Sequence, residues 1–503
     1  MIKTLAVAAR DRARLAEITG VATRYGLGLL LARLGLGPSA PDGEEDAAAL
    51  ARRTRLAFEA LGPVFVKLGQ ILATRGDLLS GEWIAEFERL HSQAPTLPFD
   101  ELRAAVEDAL GEPPETAFAT FETAPLAAAS MAQVHRATLA DGRDVVLKIR
   151  RPGIRPRVEA DLRLLGELAR TIESASAQAR RFGPQALLRQ LAEAMLAELD
   201  FTHEGRNADR LRADFAGETR VVIPQIHWRW TSETLIVMDY VAGVPPRDPQ
   251  TLRAAGLDPA AIASVGADLV LDMVLINGRF HADPHPGNLL CLPGNRIALL
   301  DFGMIGHVSP RRREEFLGFI QSLLAGDPDA LAGLLAVWSG GDVAAEATRR
   351  AAERLIAKHG GGRLVLSALI ADFFPIMREE RLILPPDLLL IFKAMVTIDG
   401  VLGAIEPGFD LSGAMRRAWP RLLQARLAPG HWIDTGQALL MELSRIGENL
   451  PRLLRAVTRK LDAAPRPPVA DGALAGAVRQ AGLWIAAAIL LAGAMITAGM
   501  IWG

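Results

Sequence analysis

The stretches that decide the fold are HADPHPGN, at residues 281–288, and IALLDFG, at residues 297–303. Asp283 and Asn288 lie five positions apart, and an apolar run that predicts a short strand leads to Asp301. This spacing lets Asp283 lie beside an attacking oxygen while Asn288 and Asp301 approach the phosphates of a nucleotide from two sides. Amide and carboxylate oxygens are the hard ligands that Mg²⁺ prefers. The pattern therefore predicts a magnesium–nucleotide site with Asn288 and Asp301 as metal ligands.

An upstream segment predicts the part of the site that covers the nucleotide. A run of mostly small residues lies between stretches 118–122, 133–139 and 144–149, which predict strands, and Asp141-Gly142 predicts a hairpin turn. Small side chains let a backbone approach phosphates closely. The residues of this run are Ala127, Ala128, Ala129, Ser130, Met131, Ala132 and Gln133.

Lys148 lies in the third of these predicted strands, and its ammonium would neutralise phosphate oxygens of the nucleotide. A strand lysine, an Asp-to-Asn loop and a following Asp-Phe-Gly are together typical of kinases. Adenine would then pair with the backbone near Asp239 and Val241, where the chain leaves the sheet. The lysine needs an acidic partner on a helix, and residues 198–204 offer three acids.

A zinc site is the alternative interpretation of this loop. His281, Asp283 and His285 form a His-x-Asp-x-His pattern that suits zinc. This alternative leaves Asp301 without a role, and no supporting carboxylate–histidine set stands nearby, so we favour the magnesium–nucleotide interpretation.

Composition excludes some functions and supplies one clue. The chain has 503 residues, half of them hydrophobic, and a net charge of −2, which predicts no nucleic-acid partner. The single cysteine, Cys291, excludes a disulfide framework within the chain. Only six of the 56 basic residues are lysines. Two of them, Lys67 and Lys148, lie inside motifs, which suggests positions where a compact point charge is needed rather than a planar fork.

The C-terminal segment predicts a membrane anchor. Residues 481–502 carry no charge and are long enough to span a bilayer, and arginines and a lysine precede them. The positive-inside rule then places the bulk of the chain in the cytoplasm. A buried core helix or a hairpin on the membrane surface are the alternatives. Small residues four positions apart allow helix pairing and a possible homodimer.

These motifs resemble the UbiB family of atypical kinases, which act in ubiquinone biosynthesis, and the resemblance covers roughly residues 45–460. It implies roles for individual positions. The matching positions are Lys67, Gly69 and Gln70 of a Lys-x-Gly-Gln motif, the alanine-rich loop 127–133, Glu198 and Asp200 of a Glu-x-Asp pair, Glu204 as the partner of Lys148, catalytic Asp283, and metal-binding Asn288 and Asp301. It further implies that the Lys67 helix folds over the site, with Lys67 facing Glu198 and Asp200, and hinders peptide access.

The resemblance implies an α+β, bilobal, protein-kinase-like fold with a helical N-terminal extension and a C-terminal transmembrane helix. We expect the extension at residues 1–111, an N-lobe at 112–240, a C-lobe at 241–462, a linker at 463–480 and the span at 481–502. ATP and Mg²⁺ are the expected cofactors. The expected activity is ATP hydrolysis or phosphorylation of a membrane lipid or quinone precursor, beside quinone-biosynthetic enzymes. A protein kinase acting on a membrane partner and a nucleotide-sensing scaffold are the alternatives.

Overall fold

The computed structural model describes most of the chain up to residue 421, within the unit Met1–Gln424. The expected linker 463–480 and span 481–502 lie outside the described residues. The described ranges are 11–27, 47–73, 79–90, 95–175, 183–340, 344–360, 366–382, 384–409, 413–414, 417–418 and 420–421.

The described chain combines helices with three small sheets. The strands are β1 Thr120–Ala128, β2 Ala132–Thr138, β3 Asp144–Arg150, β4 Val221–Val222, β5 Leu235–Asp239, β6 Arg279–His281, β7 Leu289–Leu292, β8 Arg296–Leu299 and β9 Ile305–His307. The α-helices are Arg12–Arg24, Ala47–Leu61, Pro63–Ala73, Gly81–Phe87, Phe99–Leu110, Pro114–Ala117, Ile154–Ala175, Pro184–Glu198, Phe201–Asp214, Pro249–Ala254, Pro259–Leu271, Pro310–Ala325, Pro328–Trp338, Ala345–His359, Leu366–Glu379 and Pro386–Ile405.

The largest sheet is antiparallel, in the order β1-β2-β3-β5. Alternation along β3 buries Val145, Leu147 and Ile149 against helix Phe99–Leu110, so Lys148 points to the opposite face. Gly142 has a φ of +85°, as the hairpin turn predicted between β2 and β3 requires.

Strand β1 is longer than the sequence predicts. It runs from Thr120 to Ala128 instead of ending at residue 122, with irregular register around Pro125. Ala127 and Ala128 therefore pair with β2, and only residues 129–131 form the connection. Alanine has low intrinsic strand preference, but pairing with a neighbouring strand overrides it.

Several helices of the C-terminal half begin at Asp-Pro dipeptides. The carboxylates of Asp248, Asp258 and Asp327 accept hydrogen bonds from backbone N–H groups of the first turn, and the following proline occupies the first helical position. This combination satisfies otherwise free donors and presets the backbone angle. The helices surround a continuous apolar core that includes Phe316, Phe319 and Phe392.

Among the described residues, two helical stretches are long and apolar enough to cross a membrane, Pro259–Asn277 and Asp387–Ile405. Burial covers 67% of the tested window in the first and 50% in the second. The core helix of a folded domain has this same character, so length and apolarity alone do not make either of them a span.

Candidate active site

A buried ion pair lies at the centre of the site. The Lys148 ammonium donates to both carboxylate oxygens of Glu204, each at 2.8 Å, and Glu204 is only 4% exposed. Glu204 belongs to the first turn of helix Phe201–Asp214, where a negative charge is favoured by the helix dipole. The ring of Phe201 lies 5.3 Å from the ammonium, which adds a cation–π contact. Two helices, Ile154–Ala175 and Pro184–Glu198, are inserted between the strand and this helix.

Asp301 faces the same ammonium from the end of β8. Its carboxylate lies 3.9 Å from Lys148 and accepts a 2.8 Å hydrogen bond from the Gly303 N–H. Burial would raise the pKa of Asp301, but Lys148, the Gly303 N–H, His281 and Lys67 outweigh it and lower the pKa to about 2. Burial would lower the pKa of Lys148, but the carboxylates of Asp301 and Glu204 outweigh it and raise that pKa. Both groups are therefore charged at neutral pH.

The loop that carries Asp283 is held by its own side chains. The Asp283 N–H donates to Nδ1 of His281 at 3.1 Å, and Nδ2 of Asn288 donates to the Asp283 carbonyl at 3.1 Å. The Leu300 N–H donates to the Asn288 carbonyl at 3.0 Å, which ties this loop to the strand that leads to Asp301. These bonds hold Asp283 and Asn288 next to the strand that leads to Asp301.

The donor set of Asn288 and Asp301 fits a magnesium ion. With Nδ2 of Asn288 committed to the Asp283 carbonyl, its amide oxygen remains to bind metal. Asp301 uses Oδ1 for the Gly303 N–H and retains Oδ2. Among the described residues, no group of three or more His, Cys, Asp or Glu side chains could hold a metal ion. Two protein oxygens, with phosphate and water as the remaining ligands, match the coordination that Mg²⁺ prefers. The zinc alternative has no ligand set among the described residues.

The alanine-rich run divides between a short connection and residues that belong to the strands. Residues 129–131 connect β1 to β2, and the Arg151 guanidinium holds the connection by donating to the Ala129 carbonyl at 2.9 Å. Gln133 departs from the expectation of a nucleotide contact. Its side chain is fully buried, exchanges hydrogen bonds with the Leu97 backbone, and lies 3.0 Å from Nε2 of His135. Gln133 therefore anchors the segment at Leu97 to the sheet.

The end of β5 narrows the choice of adenine contacts. The Asp239 N–H donates to the Gln225 carbonyl, and the Tyr240 N–H donates to the Asp144 carbonyl. The Asp239 carboxylate is held by His227 at 2.8 Å. Among the described residues the Val241 N–H has no hydrogen-bond partner, which leaves it as the available donor. The predicted adenine contacts are therefore the Asp239 carbonyl, as the acceptor, and the Val241 N–H, as the donor.

Lys67 lies at the rim of the site. Its helix, Pro63–Ala73, places the buried ammonium 3.2 Å from Glu198 and 3.3 Å from the sulfur of Met304, which follows the Asp301 loop. Gly69 on the same helix is packed so tightly that an added Cβ would lie 2.2 Å from Leu90. Gln70 is half-buried on this helix.

Asp200 has a different partner from the one expected. Its carboxylate caps helix Phe201–Asp214 by accepting from the backbone N–H and the hydroxyl of Thr202, at 2.9 and 2.7 Å. Among the described residues, the carboxylate that pairs with Lys67 is that of Glu198. Asp200 thus contributes indirectly, by starting the helix that presents Glu204.

One site residue escaped the sequence analysis. The ammonium of Lys393, on helix Pro386–Ile405, lies 3.3 Å from Oδ1 of Asp283. Lysine is rare in this chain, and this rarity singles out Lys393 in the same way as Lys67 and Lys148.

The sheet with its Lys148–Glu204 pair, joined to a loop and strand that carry Asp283, Asn288 and Asp301, defines a protein-kinase-like domain. The chain matches the model of the ABC1 atypical kinase-like domain over residues 89–335 and that of the UbiB helical domain over residues 361–410. The chain belongs to the UbiB family of atypical kinases.

Curated relatives extend the match over most of the chain. A protein of Xylella fastidiosa (strain 9a5c), named "Probable protein kinase UbiB", is 32% identical over 414 residues, covering 80% of this chain and 75% of the relative. A protein of Xanthomonas campestris pv. campestris (strain B100) with the same name is 33% identical, covering 83% and 78%. Among solved structures, Rv3197 of Mycobacterium tuberculosis, in complex with erythromycin, has a TM-score of 0.50 and 22% identity, covering 66% of this chain and 86% of that chain. This last likeness concerns the fold alone.

Proposed function

We propose that this protein is a membrane-anchored atypical kinase or ATPase that binds Mg-ATP between two lobes and supports ubiquinone biosynthesis. The observation that carries the proposal is the Lys148–Glu204 pair with Asp301 beside it. A fixed ammonium next to an ionised carboxylate is the arrangement that positions nucleotide phosphates in kinases. Residues 481–502 would anchor the chain in the inner membrane of a bacterium, with the catalytic domain in the cytoplasm.

Each side chain has a defined task in this proposal. Lys148 binds phosphate oxygens, and Glu204 holds its ammonium in place. Asp283 orients the acceptor oxygen and takes its proton. That oxygen forms a bond to the γ-phosphorus, the bond to the β–γ bridging oxygen breaks, and ADP leaves with the electron pair. Mg²⁺, held by Asn288 and Asp301, would neutralise phosphate charge.

The position of Lys67 favours a small acceptor. Its helix is tied across the rim to Glu198 and Met304, which narrows access for a peptide. Water, a membrane lipid or a quinone precursor needs less room than a protein substrate. We therefore favour ATP hydrolysis or small-molecule phosphorylation, in association with quinone-biosynthetic enzymes.

The test follows the γ-phosphate in the full chain, purified in detergent, with Mg-ATP and with or without lipid vesicles that contain a quinone precursor. We expect release of inorganic phosphate or labelling of the lipid fraction, and loss of both in Asp301→Asn with an unchanged circular dichroism spectrum. Asp372→Asn, which alters a carboxylate paired with Lys358, is the matched control. Label on an added membrane protein would favour the protein kinase, and nucleotide binding without turnover would favour the scaffold. Undiminished turnover in folded Asp301→Asn would refute the site.

A further inference from the structure

The catalytic loop lacks a cation of its own. Between His281 and Asn288 the chain contains no lysine or arginine. Nδ1 of His281 accepts a hydrogen bond from the Asp283 N–H at 3.1 Å, and Nδ1 of His285 accepts one from the Gly287 N–H at 2.9 Å. A γ-phosphate beside Asp283 would bring negative charge next to a carboxylate. A further cation next to Asp283 would compensate that charge where the loop itself supplies none.

Lys393 lies where this compensation is needed. Its ammonium is 3.3 Å from Oδ1 of Asp283, and the two side chains are 31% and 34% exposed, so both are accessible to a ligand from solvent. A pair this exposed contributes at most about 1 kcal/mol to stability, so stabilisation gives little reason for it. An ammonium has three donors, so it can contact Asp283 and still offer donors to a phosphate.

The helix that carries Lys393 holds it in a fixed position. Ile391, Phe392 and Met395 of this helix are buried in the main core. The neighbouring β9 pairs with β6, which leads directly into the Asp283 loop. A cation on a rigid, packed helix is better placed for transition-state charge than one on a mobile loop.

The distribution of lysine supports the same assignment. The structure describes four of the six lysines, and three of these four contact acids of the site: Lys67 with Glu198, Lys148 with Glu204 and Lys393 with Asp283. The fourth, Lys358, pairs with Asp372 at a half-exposed position of helix Ala345–His359. In a chain that otherwise uses arginine, three of the four described lysines thus lie against acids of the candidate site, where a compact charge with rotatable donors is suited.

We propose that Lys393 is a catalytic residue that binds the γ-phosphate of ATP beside Asp283, so that the helical domain completes the phosphate site. The proposal rests on the proposed function and adds a residue to it. During transfer Lys393 keeps its protons and compensates charge on the transferred phosphoryl group, while the acceptor proton goes to Asp283. The ammonium then distinguishes ATP from ADP, because only ATP carries the group that it contacts.

The test is calorimetric titration of the full chain in detergent with Mg²⁺ and either AMPPNP, a non-hydrolysable ATP analogue, or ADP. We expect Lys393→Met to weaken AMPPNP binding by about tenfold to a hundredfold and ADP binding by less than about threefold, the range for loss of a charged hydrogen bond. Lys358→Met is the matched control and should leave both affinities unchanged. Lys393→Arg keeps the charge and should fall between Lys393→Met and the parent.

Equal weakening of both nucleotides in Lys393→Met, or no change in either, would overturn the role of Lys393 while leaving the nucleotide site intact. Failure of the parent protein to bind either nucleotide would instead refute the proposed function. Thermal unfolding shows which variants fold. If Lys393→Met does not fold, Lys393→Gln and Lys393→Arg take its place, and failure of all three to fold would make the pair structural and overturn the proposal.

Discussion

Two lysine–carboxylate pairs at this site differ in depth and in geometry. Lys148 contacts both oxygens of Glu204, whose side chain is 5% exposed, whereas Lys67 makes one contact of 3.2 Å with Glu198, whose side chain is 35% exposed. Removing one partner of a buried carboxylate leaves an uncompensated charge, while a carboxylate that is one-third exposed can exchange its partner for water. The inner pair therefore suits permanent positioning, and the outer pair suits a gate that opens.

The largest effect should follow from breaking the inner pair. We expect Lys148→Met to lower the free energy of unfolding by about 3–5 kcal/mol, because buried Glu204 is left without its ion-pair partner. Urea titration of the purified protein measures this loss. The double variant Lys148→Met/Glu204→Gln removes both charges and should recover part of it. A single variant as stable as the parent would show that the inner pair is not shielded from water.

A smaller effect should follow from crowding the helix of the outer pair. A Cβ at Gly69 would meet Leu90 at 2.2 Å and Phe58 at 3.1 Å, so we expect Gly69→Ala to cost about 1–3 kcal/mol of stability. Gly20→Ala, at a helix position with open space around it, is the matched control and should be neutral or raise stability by up to about 1 kcal/mol. Chemical denaturation of both variants makes the comparison. Equal stability of the two would contradict the tight packing that holds Lys67 in place.

The smallest effect on stability, with a clear effect on activity, should come from Lys67→Arg. Arginine keeps the positive charge, and the Glu198 side chain is 35% exposed and can be solvated, so the fold should be preserved. The planar guanidinium does not fit a site built for an ammonium between Glu198 and Met304, and we expect phosphoryl transfer to be gained or altered. Incorporation of labelled phosphate into the purified variant measures this, with Lys67→Arg/Asp301→Asn as the control. A variant that matches the parent in nucleotide binding and in phosphoryl transfer would remove the case for a gate.

Local patterns in the sequence predict much of the fold. The hairpin at Asp141–Gly142 and strand β3 follow from turn chemistry and the apolar pattern of the sequence. The end of β1 did not follow, because Ala127 and Ala128 join a strand through pairing with β2 and not through their own preference.

The candidate site is harder to predict from the sequence where one residue type can serve two purposes. Asp200 could cap a helix or face Lys67, and only the position of the Thr202 N–H decides for the cap. Gln133 ends a run of small residues, yet its burial against Leu97 comes from a segment far from it in the sequence. Lys393 meets Asp283 across a still longer separation, and no spacing rule connects a core helix to the catalytic loop.

The central claim is that the inner lysine binds the nucleotide and the outer lysine does not. The most direct test is the affinity for Mg-ATP of Lys148→Met beside that of Lys67→Met, measured by calorimetry on the full chain in detergent. We expect Lys148→Met to lose at least about tenfold in affinity, as removal of a charged hydrogen bond requires, and Lys67→Met to remain within about threefold of the parent. Loss of affinity in Lys67→Met with retention in Lys148→Met would contradict the account.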